Sequence, residues 1–184
     1  WRMPAGTGTL TLAFATPALA VEMTITVEGE ANGAITIDLL EETAPNHVAQ
    51  IRTLAEQGAY DNVVFHRVID GFMAQTGDVE FGKLGADMRM AGRGGSDLPN
   101  LSAEFSDIPY ERGTVGMARA QNPDSANSQF FIMFEAGPFL NGQYTVIGQV
   151  TDGLDVLDAI KRGTGSNGAV VGRPDVMTTV TISR

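Results

Sequence analysis

The chain has 184 residues, 43% of them hydrophobic, with a net charge of −10 and no cysteine. That length and hydrophobic share suit one domain with a substantial core, while the acidic balance argues against nucleic acid or anionic lipid as partners. Disulfides, thiolate metal sites and Cys nucleophiles are excluded, and with only His47 and His66 present so is a His-rich metal site.

Residues 1–20 carry one charge, Arg2, and a mild apolar stretch from Gly6 to Leu19. Ala18-Leu19-Ala20 has the small-x-small pattern that signal peptidase cuts. The run is too short to cross a bilayer as a helix, so no membrane span is expected. It reads as a secretory signal peptide, leaving 21–184 as the working domain. Next, Met23, Ile25 and Val27 alternate with polar residues, as do Ile35, Ile37 and Leu39. With the turn Gly29 to Gly33 between them they predict a β-hairpin. Ala44-Pro45 opens a helix. Val48, Ile51, Leu54 and Ala55 share its inner face, and Gly58 stands just past its end. Strands are expected at 63–68, 72–76, 113–119, 129–134 and 145–150, with a long irregular loop over 82–109. A second helix runs from Asp152 to Arg162 with Gly163 as its stop, and a closing strand holds Val176, Val180 and Ile182. Frequent strands with two helices between them suggest a closed barrel or sandwich with helical caps.

The chemistry narrows by elimination. No G-x-S-x-G occurs, and His47 on a helix and His66 in a strand make a poor base for a nucleophilic triad. His47 is expected on the helix surface, and His66 as a packed residue with a satisfied ring. Gly163 to Gly168 matches G-x-G-x-x-G, but a dinucleotide fingerprint follows a strand and opens a helix. Here it follows a helix, so it reads as a connecting loop. In 63–68, alternation places Val63, Phe65 and Arg67 on one face and Val64, His66 and Val68 on the other. Met73 shares a face with Gln75. Gln129, Phe131 and Met133 oppose Phe130, Ile132 and Phe134. A lone Arg or Gln in a strand is commonly a solvated head over packed methylenes. Three strands each mixing a large apolar side chain with one polar head are unusual for a merely solvated surface.

The order of residues points further. The run Phe65-His66-Arg67-Val68-Ile69-Asp70-Gly71-Phe72-Met73-Ala74-Gln75-Thr76-Gly77-Asp78 resembles the signature of the cyclophilins. Gly116 to Ala120, Ser128 to Ile132 and Phe139 to Gly148 resemble the family's later blocks, collinear from about Met23 to the C-terminus. The segments Gly92 to Phe105 and Met117 to Phe131 resemble the bacterial branch. The resemblance implies a mainly β fold: a closed eight-stranded antiparallel β-barrel capped by two α-helices, with its active surface outside. By position, the family's functional residues fall on Arg67, Phe72, Met73, Gln75, Ala118, Arg119, Ala120, Gln129, Phe131, Phe139, Leu140 and Tyr144.

The implied activity is rotation of X-Pro peptide bonds, with proline-containing polypeptides as partners, no cofactor or metal, and a monomer. Arg67 is the expected donor to the proline nitrogen. Phe72, Met73, Phe131 and Leu140 form the ring socket, and Gln75 positions Arg67 or holds the substrate carbonyl. The backbone of Arg119 pairs with substrate, with Gln129 and Tyr144 at the rim. Phe139 and Tyr144 stand where the best-known eukaryotic members carry Trp and His, which implies weak cyclosporin binding. With the leader, a bacterial periplasmic folding helper is expected, or a cytoplasmic one if the leader is not a signal. The alternative is a non-catalytic module that holds proline segments or acts as a chaperone. Members of that kind often lose the Arg, whereas Arg67, Gln75 and Phe131 are all present here.

Overall fold

In a computed structural model of the protein, residues 19–184 are described; residues 1–18 of the expected leader lie outside them. Period-2 alternation builds the first hairpin. Strand β1 (Val21–Glu28) pairs antiparallel with β2 (Gly33–Leu39), Ile25 opposite Ile35 and Met23 opposite Ile37. All four of these side chains are buried. Helix α1 (Pro45–Glu56) turns Val48, Ile51, Leu54 and Ala55 inward, as its spacing requires. Gly58 follows its end with φ +72°, a left-handed value that glycine adopts without strain.

The remaining strands are β3 (Val63–Val64), β4 (Arg67–Ile69), β5 (Met73–Thr76), β6 (Thr114–Met117), β7 (Phe130–Met133), β8 (Val146–Asp152) and β9 (Val176–Ser183). They form one antiparallel sheet in the order β3-β9-β1-β2-β8-β6-β7-β5-β4. The two ends of that order, β3 and β4, are separated in the chain only by Phe65 and His66. Residues 63–69 therefore pair with β9 at one end and with β5 at the other. Counted as one broken strand, they close the expected eight-stranded barrel. The interior is filled by side chains such as Ile25, Ile37, Phe65, Phe130 and Ile132. Burying each is worth roughly 1.5–3 kcal/mol, which makes the wall a rigid platform for groups on its outside.

Three local expectations are corrected. The expected strand 63–68 breaks where it leaves one neighbour and joins another. Phe65 and Val68 both enter the core, so the inward positions are three apart and the alternation slips by one. Second, α2 is short (Leu154–Ala159) and does not span Asp152 to Arg162. Ile160 turns extended, because the buried carboxylate of Asp175 takes the Lys161 N–H at 2.6 Å and the Val68 carbonyl takes the Gly163 N–H at 2.7 Å. Third, His47 is not on the surface. It is fully buried, its Nδ1 2.5 Å from Glu104, which also accepts the backbone N–H groups of Asn46 and His47.

The stretch 82–109 is irregular, as expected, yet anchored. Asp78, fully buried, accepts N–H bonds from Glu80, Phe81, Gly92 and Gly94. That carboxylate ties the loop to the barrel beside the outer faces of β4 and β5.

Candidate active site

Register alone assembles the centre of the site. Arg67 on β4 faces Gln75 on β5, Gln75 faces Phe131 on β7, and Phe131 faces Gly116 on β6. These four make one row across four strands. The adjacent row, Val68, Ala74, Ile132 and Val115, points into the core. Because side chains alternate, the first row must point outward. Ile69, Met73 and Met133 form the next outward row.

The outward face forms its own apolar cluster, with Met73, Tyr110, Phe131, Met133, Leu140 and Val146 at its centre and Phe72, Ala118 and Tyr144 packed against it. The Phe131 ring stacks on Tyr110, with centroids 5.7 Å apart, and meets Tyr144 edge-on at 6.0 Å. Gly116 makes this possible. A Cβ there would lie 2.7 Å from the Phe131 ring and collide with the Tyr110 hydroxyl. That hydroxyl donates to the Tyr144 carbonyl at 2.9 Å, and burial pushes its pKa well above the usual phenol range. Phe139 sits 68% exposed, its ring 5.4 Å from Phe72, while Leu140 beside it is buried.

Arg67 is fixed from two sides. Its Nη1 donates to Gln75 Oε1 at 3.1 Å, its Nε to the Asn167 carbonyl at 2.9 Å and its Nη2 to Asn167 Oδ1 at 3.1 Å. A guanidinium has five N–H groups, so these three bonds leave two for a ligand. Burial lowers the Arg67 pKa and the nearby Tyr144 opposes it; the group stays charged at neutral pH. The chain of bonds continues from Gln75 Nε2 to Gln129 Oε1 at 3.0 Å, and from Gln129 Nε2 to the Gly94 carbonyl at 2.9 Å. Gln129, largely buried, thus links Gln75 to the loop at Gly94.

Ten of the twelve expected residues line one cavity of about 960 Å³: Arg67, Phe72, Met73, Gln75, Ala118, Arg119, Phe131, Phe139, Leu140 and Tyr144. Ala120 and Gln129 line an adjoining cavity of about 520 Å³, which shares Gln75, Ala118 and Arg119 with the first. Past the end of β6, the Ala118 N–H bonds the Gln129 carbonyl and the Ala120 N–H bonds Ser125 Oγ. Among the described residues the backbone N–H and carbonyl of Arg119 between them have no partner, which leaves one peptide unit open to an extended ligand. The Arg119 side chain has work of its own. It donates to the carbonyls of Ala120, Gln121 and Gln143 and lies 4.3 Å over the Tyr144 ring.

His66 departs from expectation. The slip at residues 65–66 brings it to the same cavity as Arg67, and neither ring nitrogen has a hydrogen-bond partner. Burial lowers its pKa to about 4, with Asp78 raising and Arg67 lowering it by smaller amounts. The ring is neutral at pH 7. Asn167, Gly116 and Tyr110 also shape the site, though no strand alternation marks them. Asn167 sits in the glycine-rich loop at φ +56°, one of two non-glycine residues with positive φ among the described residues. Its Asn-Gly pair was the available signal. Among the described residues no group of three His, Cys, Asp or Glu side chains is placed to hold a metal ion, and no helix is long and apolar enough to cross a membrane.

Fold and site together define a closed β-barrel with a groove on its outer wall, where an apolar cluster adjoins a fixed guanidinium and an open peptide unit. The chain belongs to the family of cyclophilin type peptidyl-prolyl cis-trans isomerases, which residues 22–182 match. A probable peptidyl-prolyl cis-trans isomerase of Brucella suis is 57% identical over 153 residues, covering 82% of this chain and 78% of the relative. The cyclophilin AquaCyp293 of Hirschia baltica superposes with a TM-score of 0.69 at 27% identity, covering 87% of this chain and 73% of that one. A Cryptosporidium parvum cyclophilin type isomerase, crystallised in the presence of the dipeptide ala-pro, superposes with a TM-score of 0.74 at 25% identity, covering 89% and 99%.

Proposed function

We propose that this chain accelerates rotation of X-Pro bonds in exported polypeptides, with Arg67 as the donor that acts at the twisted transition state. An X-Pro amide resists rotation because its nitrogen shares a lone pair with the carbonyl, giving a barrier of roughly 18–20 kcal/mol. Twisting returns that pair to nitrogen. A donor aimed at the nitrogen then stabilises the twisted form and not the planar one, which is the requirement for catalysis.

The observation that carries this reading is the outward row Arg67, Gln75, Phe131 and Gly116. It sets a guanidinium with two uncommitted N–H groups beside an aromatic socket floored by Tyr110. Phe131, Met73, Phe72 and Leu140 hold the ring and exclude water, which strengthens the Arg67 bond. Gln75 and Asn167 keep the guanidinium aimed, and the open Arg119 peptide unit pairs with the ligand backbone. No covalent bond forms, so none of these groups needs a cofactor. The exposed Phe139 gives an apolar lip without an indole N–H, in line with weak cyclosporin binding.

The test is cis-to-trans relaxation of a short X-Pro peptide with catalytic amounts of protein. Acceleration supports the reading; binding without acceleration turns it into a holding module. Export rests on the Ala18-Leu19-Ala20 pattern, and N-terminal sequencing of protein from the native cell tests it. A start near Val21 supports a periplasmic folding helper, and an intact leader rejects export.

A further inference from the structure

The chain carries 22 acidic against 12 basic residues, yet four arginines and no acidic residue line the larger cavity of the site. We propose that the groove selects X-Pro segments with an acidic side chain within a few residues of the proline, and that Arg93 is the residue that sets this preference. The proposal rests on the isomerase reading above and names its substrate class.

The four arginines are not equivalent. Arg67 is bonded to Gln75 and Asn167, and Arg119 to three carbonyls. Arg89 is paired with Asp87 at 2.7 Å. Arg93 is exposed and, among the described residues, its guanidinium has neither a hydrogen-bond nor an ion-pair partner, while it lines both cavities. Its place is nevertheless fixed. Gly92 and Gly94 on either side donate their N–H groups to the buried Asp78 carboxylate at 2.7 and 3.1 Å, and the Arg93 N–H bonds the Met90 carbonyl. A charge with no partner, on an anchored stretch of backbone at the junction of the two cavities, is arranged for an anionic side chain arriving with the peptide.

The opposing charges are few. Glu80 lines the smaller cavity and accepts the Gly95 N–H at 3.2 Å. His66 is neutral and adds no charge. Elsewhere the surface is acidic, so an acidic peptide is repelled except at the groove, where converging guanidinium groups focus the field. Selection of this kind uses attraction at one place and repulsion at the others.

The test compares three X-Pro peptides identical except for Glu, Gln or Lys beside the proline, with the variable residue placed on either side in turn. Exchange is followed by NMR with the full-length protein. In the wild type at low salt, the Glu peptide should exceed the Gln peptide by about 3- to 10-fold in kcat/KM on at least one side, the reach of a partly shielded ion pair. The Lys peptide should fall lowest, and the spread should shrink at high salt. Arg93→Gln should remove the Glu advantage and Arg93→Glu should invert the order. Arg184→Gln, which deletes a charge paired with Glu41 outside the groove, should keep the wild-type order. Equal acceleration of all three peptides, or an order unchanged by Arg93→Glu, overturns the proposal. No acceleration of any peptide overturns the isomerase reading itself.

Discussion

Replacing Asn167 by glycine isolates the positioning of Arg67 from its chemistry. Glycine accepts the φ of +56° at this position and leaves the carbonyl that takes the Arg67 Nε bond. Only the bond from Nη2 to Oδ1, 3.1 Å long, is lost. A net hydrogen bond is worth about 0.5–1.5 kcal/mol, and about 1.36 kcal/mol is tenfold in rate. If that bond aims the guanidinium as the amide twists, kcat should fall about 2- to 12-fold with KM close to wild type. Stability measured in urea should move by less than about 1 kcal/mol, because the site is exposed and the cost is mainly chain entropy. Asn167→Asp keeps an acceptor at the same reach and should recover most of the rate. Full kcat in Asn167→Gly, or equal losses in the Gly and Asp variants, would refute the positioning argument.

Gly116→Ala should push the Phe131 ring and the Tyr110 hydroxyl apart; overpacking of this kind costs about 1–3 kcal/mol, read by urea denaturation, together with a lower kcat/KM on X-Pro peptides. Folding stability should also depend on pH through His66. Its folded pKa of about 4 lies below the ordinary value of 6.5, so the unfolded chain takes up a proton first. Stability is complete above pH 6.5 and declines as pH falls towards 4, and His66→Leu should flatten that part of a Tm against pH curve. Glu104 acts at lower pH. Burial opposes its ionisation, but bonds from the His47 side chain and from the His47 and Asn46 N–H groups prevail and lower its pKa below 4.5. Its contribution is present above 4.5 and is lost as pH falls through that lowered value, and Glu104→Gln should remove it from the same curve.

Much of the site was legible because strand alternation is local. Gln75, Phe131 and Met73 face outward, and Phe130 and Ile132 inward, as period-2 reading requires. The same rule failed at His66, where residues 63–69 switch neighbours and the pleat slips, something only the pairing of β3 and β4 with different strands reveals. The depth of Gln129 is not a local property, since it follows from the loop around Gly94, which the Asp78 carboxylate anchors and whose carbonyl the Gln129 amide reaches. His47 stands on a helix, but its burial depends on Glu104 from the long loop. Asn167 lies 100 residues from Arg67, and nothing local to either position signals their contact.

The most direct measurement is the exchange rate of an X-Pro peptide with Arg67→Ala, in protein shown to be folded by circular dichroism. Loss of one preorganised donor should slow the catalysed rate about 100-fold or more, while affinity for the peptide, set by the Phe131 socket, stays within a few-fold. A folded Arg67→Ala protein that exchanges the peptide as fast as the wild type would contradict the account.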